Sequence, residues 1–173
     1  MIELIASDYR PFIQDALAVI VCLIAFVWGA TPERVIAASW LVLFELSSWM
    51  YAAVWGTNFQ LGTVDLVFAA TDVLAGIIWL AVALNANRNY PLFIAAMQIL
   101  AIAGHLSRGL IEAISPIAYA VMVIAPGWIQ LLILGTGVIR HILRKRKFGS
   151  YREWRTPVKW YGLIADRSGE LQR

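Results

Sequence analysis

A chain of 173 residues that is 61% hydrophobic and only 14% charged has too few charges to cover a water-soluble surface of its own. Its mean hydropathy of +0.72 leaves apolar surface that requires lipid or a very large partner. The net charge of +3 belongs to one end: of the 14 Lys and Arg, only Arg10, Arg34, Arg88 and Arg108 precede Arg140, and a basic tail behind a long apolar run reads as a membrane-surface segment rather than a nucleic-acid binder.

A membrane-spanning helix needs about 20 predominantly apolar residues, and five segments approach or meet that length. The N-terminus carries Glu3 and Asp8 and no early basic cluster, unlike a secretory signal peptide. The first span covers about 11–30, with Pro11 suited to a first helical position. Thr31 as N-cap, Pro32 in the first turn and Glu33 near the positive dipole end predict the start of the second span, about 35–55. Gly56 to Thr63 is a loop by its glycines and Asn. The third span, about 64–84, closes at the Asn-rich turn Asn85 to Asn89, and Tyr90-Pro91 opens the fourth, about 91–111. Ser115-Pro116 is a further cap-plus-proline start, for a fifth span of about 116–142. Pro126 and Gly127 fall inside it, where a proline removes a backbone bond and predicts a kink.

The fold class expected is all-α: a polytopic transmembrane bundle over 1–143, followed by a basic amphipathic tail over 144–173. The runner-up has four spans, with the first segment re-entrant because Asp15 shortens its apolar length. Five spans place Arg34, Arg88 and the Arg140 to Lys147 cluster on one side, so the positive-inside rule puts the tail in the cytoplasm and the N-terminus outside. The expected location is a bacterial inner (plasma) membrane. Trp28, Trp40 and Tyr90 near inner ends, and Tyr51, Trp55 and Tyr119 near outer ends, suit interfacial aromatic belts. In the tail, Arg144, Lys145, Arg146, Lys147, Arg152, Arg155 and Lys159 interleave with Tyr151, Trp154, Trp160 and Tyr161. That mixture fits an anionic leaflet, with rings among headgroups and cations at phosphates.

Ionisable groups inside the spans are costly and by default face a bundle interior or a cavity. Glu45 lies 12 residues after Glu33, Asp72 lies 14 before Ala86 and His105 lies 15 after Tyr90, which puts all three at one level near mid-membrane. Arg108 sits about a turn further out, and Gln130 somewhat inside the middle of its helix. Gln98, His105 and Glu112 recur every seven residues, with Arg108 on the same stripe, and Asp65 and Asp72 repeat that spacing on the third span. The simplest pairing joins Arg108 to Asp72 or Glu45, and His105 to the remaining carboxylate. Two readings stand: interhelical glue, or a proton or ion path of the kind that Asp, Glu and His chains mark. Glu112, Asp65 and Asp15 near the outer interface read most simply as solvated.

Several chemistries are set aside. The one cysteine, Cys22, allows no internal disulfide, and with two histidines it makes a metal centre improbable. His105 and His141 lie at different depths, against a bis-histidine haem, and no lysine precedes Lys145, against a retinal Schiff base. No nucleophile motif and no extramembrane domain point to an enzyme, and no cofactor is expected. Gly135 and Gly137 read as close-packing positions. The function expected is an oligomeric channel or carrier in which Glu45, Asp72, Gln98, His105, Arg108 and Gln130 serve a proton, ion or small-solute path. The alternatives are a non-catalytic subunit of a larger membrane complex, or a holin-like permeabilising protein.

Overall fold

The computed structural model describes residues 10–56, 66–111, 113–149 and 152–155. Among the described residues five helices follow in chain order: α1 (Arg10–Trp28), α2 (31–55), α3 (Leu66–Asn85), α4 (Tyr90–Leu110) and α5 (Pro116–Phe148). α2 is continuous but composite, with α-helix over Thr31–Trp40, a widened π-helical stretch over Leu41–Leu46, and α-helix again over Ser47–Trp55. The predicted all-α bundle is thus the observed architecture. Four of the helices (Thr31–Val54 within α2, then α3, α4 and α5) are long and apolar enough to cross a membrane, and α1 adds a shorter apolar stretch over Phe12–Trp28. The protein is an integral, multi-pass membrane protein.

Each helix packs against its neighbours in sequence, and α1 closes the circle by packing along α5, with α2 touching α5 across the middle. Small residues make those approaches possible, as expected where lipid removes the hydrophobic drive between helices. α1 buries the stripe Ala18, Cys22 and Ala25, and α3 buries Asp72, Ala75, Trp79 and Ala83, both at helical spacings of three and four. Gly137 admits the Tyr90 ring so closely that a Cβ there would lie 3.0 Å from ring carbons, and Gly104 faces Met122 and Val123 across the α4–α5 contact. Trp40 and Trp79 stack at 5.5 Å between ring centroids, with Phe44 tilted against both. Trp79 Nε1 donates to Ser39 Oγ at 2.8 Å, and Ser39 Oγ donates on to the carbonyls of Val35 and Ile36.

Local expectations meet mixed outcomes. Ser115 caps α5 as predicted, its Oγ accepting from Ala118 N at 3.2 Å. At the α2 start the N-cap is Ala30 rather than Thr31; Glu33 reaches back to accept from Ala30 N at 3.1 Å, which makes a hydroxyl cap unnecessary. α5 runs unbroken through Pro126 and continues to Phe148, beyond the expected end near 142, because the basic turn after Ile142 extends the same helix. Pro126 is buried within that helix, and Gly127 lies against Gln14 and Trp40. Trp40 and Tyr119 are buried rather than belted at an interface; Trp40 lies nine residues into α2, roughly 14 Å from its start, which is core depth.

The tight α4–α5 crossing yields a test. Gly104→Leu should lower the thermal midpoint of the detergent-solubilised protein by an overpacking cost of about 1–3 kcal/mol. Gly109→Leu, at a position with open space around it, should leave the midpoint unchanged.

Candidate functional site

Five polar side chains from α3, α4 and α5 form one hydrogen-bonded chain. Asp72 is its hub. Its Oδ2 lies 2.7 Å from His105 Nε2, and its Oδ1 accepts from Gln98 Nε2 at 2.7 Å. The same amide nitrogen also donates to the Asp72 carbonyl at 3.0 Å. Gln98 Oε1 accepts from Gln130 Nε2 at 2.9 Å, and that nitrogen also donates to Ile94 O at 3.2 Å. At the other end His105 Nδ1 meets the Tyr119 hydroxyl at 2.8 Å. Every member is buried: Asp72 is 6% exposed, His105 5%, Gln130 2%, Gln98 1% and Tyr119 0%. The seven-residue spacing of Gln98 and His105 puts both on the face of α4 that meets α3 and α5.

His105 is therefore held at both ring nitrogens. With its hydrogen on Nε2 the neutral ring donates to Asp72, and Nδ1 accepts from the Tyr119 hydroxyl. A second proton on Nδ1 reverses that bond, so the tyrosine oxygen accepts, and the imidazolium faces the Asp72 carboxylate. No heavy atom has to move for the triad to take up a proton.

Of the residues singled out in the sequence, Asp72, Gln98, His105 and Gln130 come together. Glu45 and Arg108 do not join them. Equal depth does not fix which way a side chain faces: Glu45 sits in the π-helical stretch, hydrogen-bonded to Trp40 and under the influence of the Asp15 charge. Of the two carboxylates left open for His105, it takes Asp72, while Arg108, a turn further out, donates to the carbonyl of Ile114 in the α4–α5 turn. Tyr119, assigned to an aromatic belt, was the missed member. Its position three residues into α5 is the mirror of His105, five residues before the end of α4, so the hairpin sets them level.

A second polar group closes the opposite end, where the α1–α2 turn, the α3–α4 turn and the end of α5 meet. Arg88 bonds Glu33 through one terminal nitrogen and lies 3.0 Å from His141 Nδ1 through the other. The Arg88 and Glu33 side chains are 7% and 0% exposed. This ion pair was not foreseen, because an arginine between spans reads as a topology marker and a glutamate at a helix start as a dipole partner. Arg144, Lys145, Arg146 and Lys147 are exposed on the last turns of α5, and Arg152 and Arg155 are exposed beyond it. Trp154, by contrast, packs on the bundle core instead of standing free for a headgroup layer. Lys159 and Trp160 lie outside the described residues, as do Asp65 and Glu112. Among the described residues no group of His, Cys, Asp and Glu is arranged to hold a metal ion.

No protein-family model matches the chain, and neither a curated protein nor a solved structure matches it. The residues themselves carry the functional reading.

Two measurements follow from the ion pair and its surroundings. Arg88→Met strands the Glu33 carboxylate in a buried site and should destabilise the protein by about 3–5 kcal/mol. Adding Glu33→Gln should recover part of that loss, which thermal midpoints of the two singles and the double variant would show as coupling. The Glu153 carboxyl is held below the usual carboxylate range by hydrogen bonds from Thr31, with burial opposing and Arg88 and His141 adding to the effect. A depressed acid stabilises above its ordinary range and loses that contribution as pH falls through its folded value. The Thr31 amide resonance should accordingly be flat at neutral pH and shift below the usual carboxylate range, with the inflection absent in Glu153→Gln.

Proposed function

We propose that this protein is a small, non-enzymatic membrane carrier of protons, with Asp72, His105 and Tyr119 as the group that holds the proton. The observation that carries the proposal is His105 bonded at both ring nitrogens, to an acid on one side and a hydroxyl on the other. Interhelical glue alone needs no such two-sided imidazole; the glutamine contacts would serve.

The reading is of a carrier more than a channel. The polar chain stops at Gln130, and the buried Leu131, Leu134 and Val138 separate it from His141, roughly 16 Å along α5. A proton would cross that stretch only with helix movement, since the buried face of α5 there is lined by apolar side chains. The basic residues gathered at the tail end favour a cytoplasmic tail, an external N-terminus and a bacterial inner membrane. Exposed cations on the last turns of α5 favour contact with anionic lipid, and self-association belongs to the same proposal.

A second reading is supported by the completeness of the polar chain. Five side chains that satisfy one another across three helices would suit a rigid, non-catalytic subunit of a larger complex.

Proteoliposomes loaded with a pH-sensitive dye and driven by a potassium diffusion potential test the first reading. Wild-type protein should acidify them at least about tenfold faster than protein-free vesicles. Asp72→Asn and His105→Ala should return the rate to that of empty vesicles, and Tyr119→Phe should slow it. Wild-type flux at the empty-vesicle level would sink the carrier, and a large partner co-purified in mild detergent would then support the second reading.

A further inference from the structure

The chain beyond α5 returns to the bundle and does so in a defined way. α5 ends at Gly149, whose φ of +73° favours glycine and whose N–H donates to Lys145 O at 2.9 Å. Residues Arg152, Glu153, Trp154 and Arg155 then lie along the α3–α4 turn. Asn87 N donates to Glu153 O at 2.9 Å and Arg155 N to Asn85 O at 2.8 Å, on either side of an antiparallel bridge between Ala86 and Trp154. Asn87 Nδ2 adds a bond to Arg152 O at 3.3 Å. From the same segment, Glu153 Oε2 reaches across to accept from Thr31 N at 3.0 Å.

Those bonds do a job the helices cannot do for themselves. The first amides of a helix and its last carbonyls lack intrahelical partners. The segment supplies an acceptor to the start of α2 and a donor to the end of α3. It also covers what lies below. Ala86 belongs to a turn yet is 0% exposed, and Glu33 is equally buried. The contacts are a few backbone bonds, one carboxylate and one indole, and the segment's two arginines stay in solvent. That is a small set of interactions, on an extended segment at the end of the bundle, bridging the same two turns that the Glu33–Arg88 pair links.

We propose that Arg152–Arg155 is a latch: closed, it ties the α1–α2 turn to the α3–α4 turn and seals the Glu33–Arg88–His141 group from solvent, and open, it exposes that group while the helices stay packed. The latch does not depend on the carrier reading.

Labelling by a maleimide tests it in the full-length protein, in detergent and in lipid nanodiscs. Ala86→Cys places a thiol under Trp154, and the parent chain, whose lone Cys22 is buried, gives the background. Ala86→Cys should label slowly; adding Trp154→Ala should speed it at least about tenfold, and adding Glu153→Gln by less. Equal rates with and without Trp154→Ala would overturn the latch. Hydrogen exchange on Trp154→Ala in the otherwise native chain provides the second measurement. Protection should fall at Thr31 and at Asn85–Asn87 and hold across Ile94–His105. Loss of protection through α4 as well would make the segment part of the fold and overturn its role as a latch.

Discussion

Hydrocarbon offers a carboxylate nothing to bond, so an aspartate in the middle of α3 has to be answered by side chains from other helices. Asp72 is answered twice, by Gln98 and by His105, and each of those passes the requirement on, to Gln130 and to Tyr119. The result is an ordering constraint on the whole bundle. α3, α4 and α5 can rotate about their axes only as far as these five groups remain in reach. The small residues beside them (Ala75, Ala101, Gly104 and Ala120) let the backbones come close enough for bonds of that length.

The two polar groups differ in what they ask of their surroundings. The inner chain has one ionisable couple, Asp72 and His105, padded by neutral amides and a phenol. The end group is a buried ion pair with an imidazole beside it, set where the α3–α4 turn meets the start of α2 and the last part of α5. A pair of that kind brings desolvation cost with its attraction and specifies position more than it adds stability. Here it specifies that three chain segments, far apart in sequence, share one face of the bundle. Arg88, one of the arginines invoked to orient the chain in the membrane, is thus also part of what holds that face together.

Much of this was legible in the sequence, for reasons that can be named. The fold class follows from apolar run length, and the span limits agree to within a few residues except where α5 outruns its apolar stretch into Arg144–Phe148. Asp72, Gln98, His105 and Gln130 were found because buried polar groups in lipid are conspicuous and a seven-residue repeat marks a face. Glu45 and Arg108 were grouped with them on height alone, and height says nothing about azimuth. Helix order around the ring, which decides azimuth, has no signature in a single sequence. Tyr119 and Trp40 were misread because an aromatic residue serves an interface and a core equally well. The return of Glu153 and Trp154 to the bundle depends on a reversal at Gly149 and on pairing over more than sixty residues, which no local pattern encodes.

The π-helical stretch of α2 divides that helix into unequal partners. Below it, Thr31–Trp40 is fastened by Glu33, by the Trp40–Trp79 stack and by Ser39. Above it, Ser47–Trp55 leans on α3 where Tyr51 meets Phe68, and its Trp49, Met50 and Val54 face outward. A widened turn is a natural joint in a helix. Its presence means that α2 is one element by sequence and two by mechanics, an anchored root and a lightly tethered tip. Contacts made by the tip therefore reach the root, along this helix, only through that widened turn.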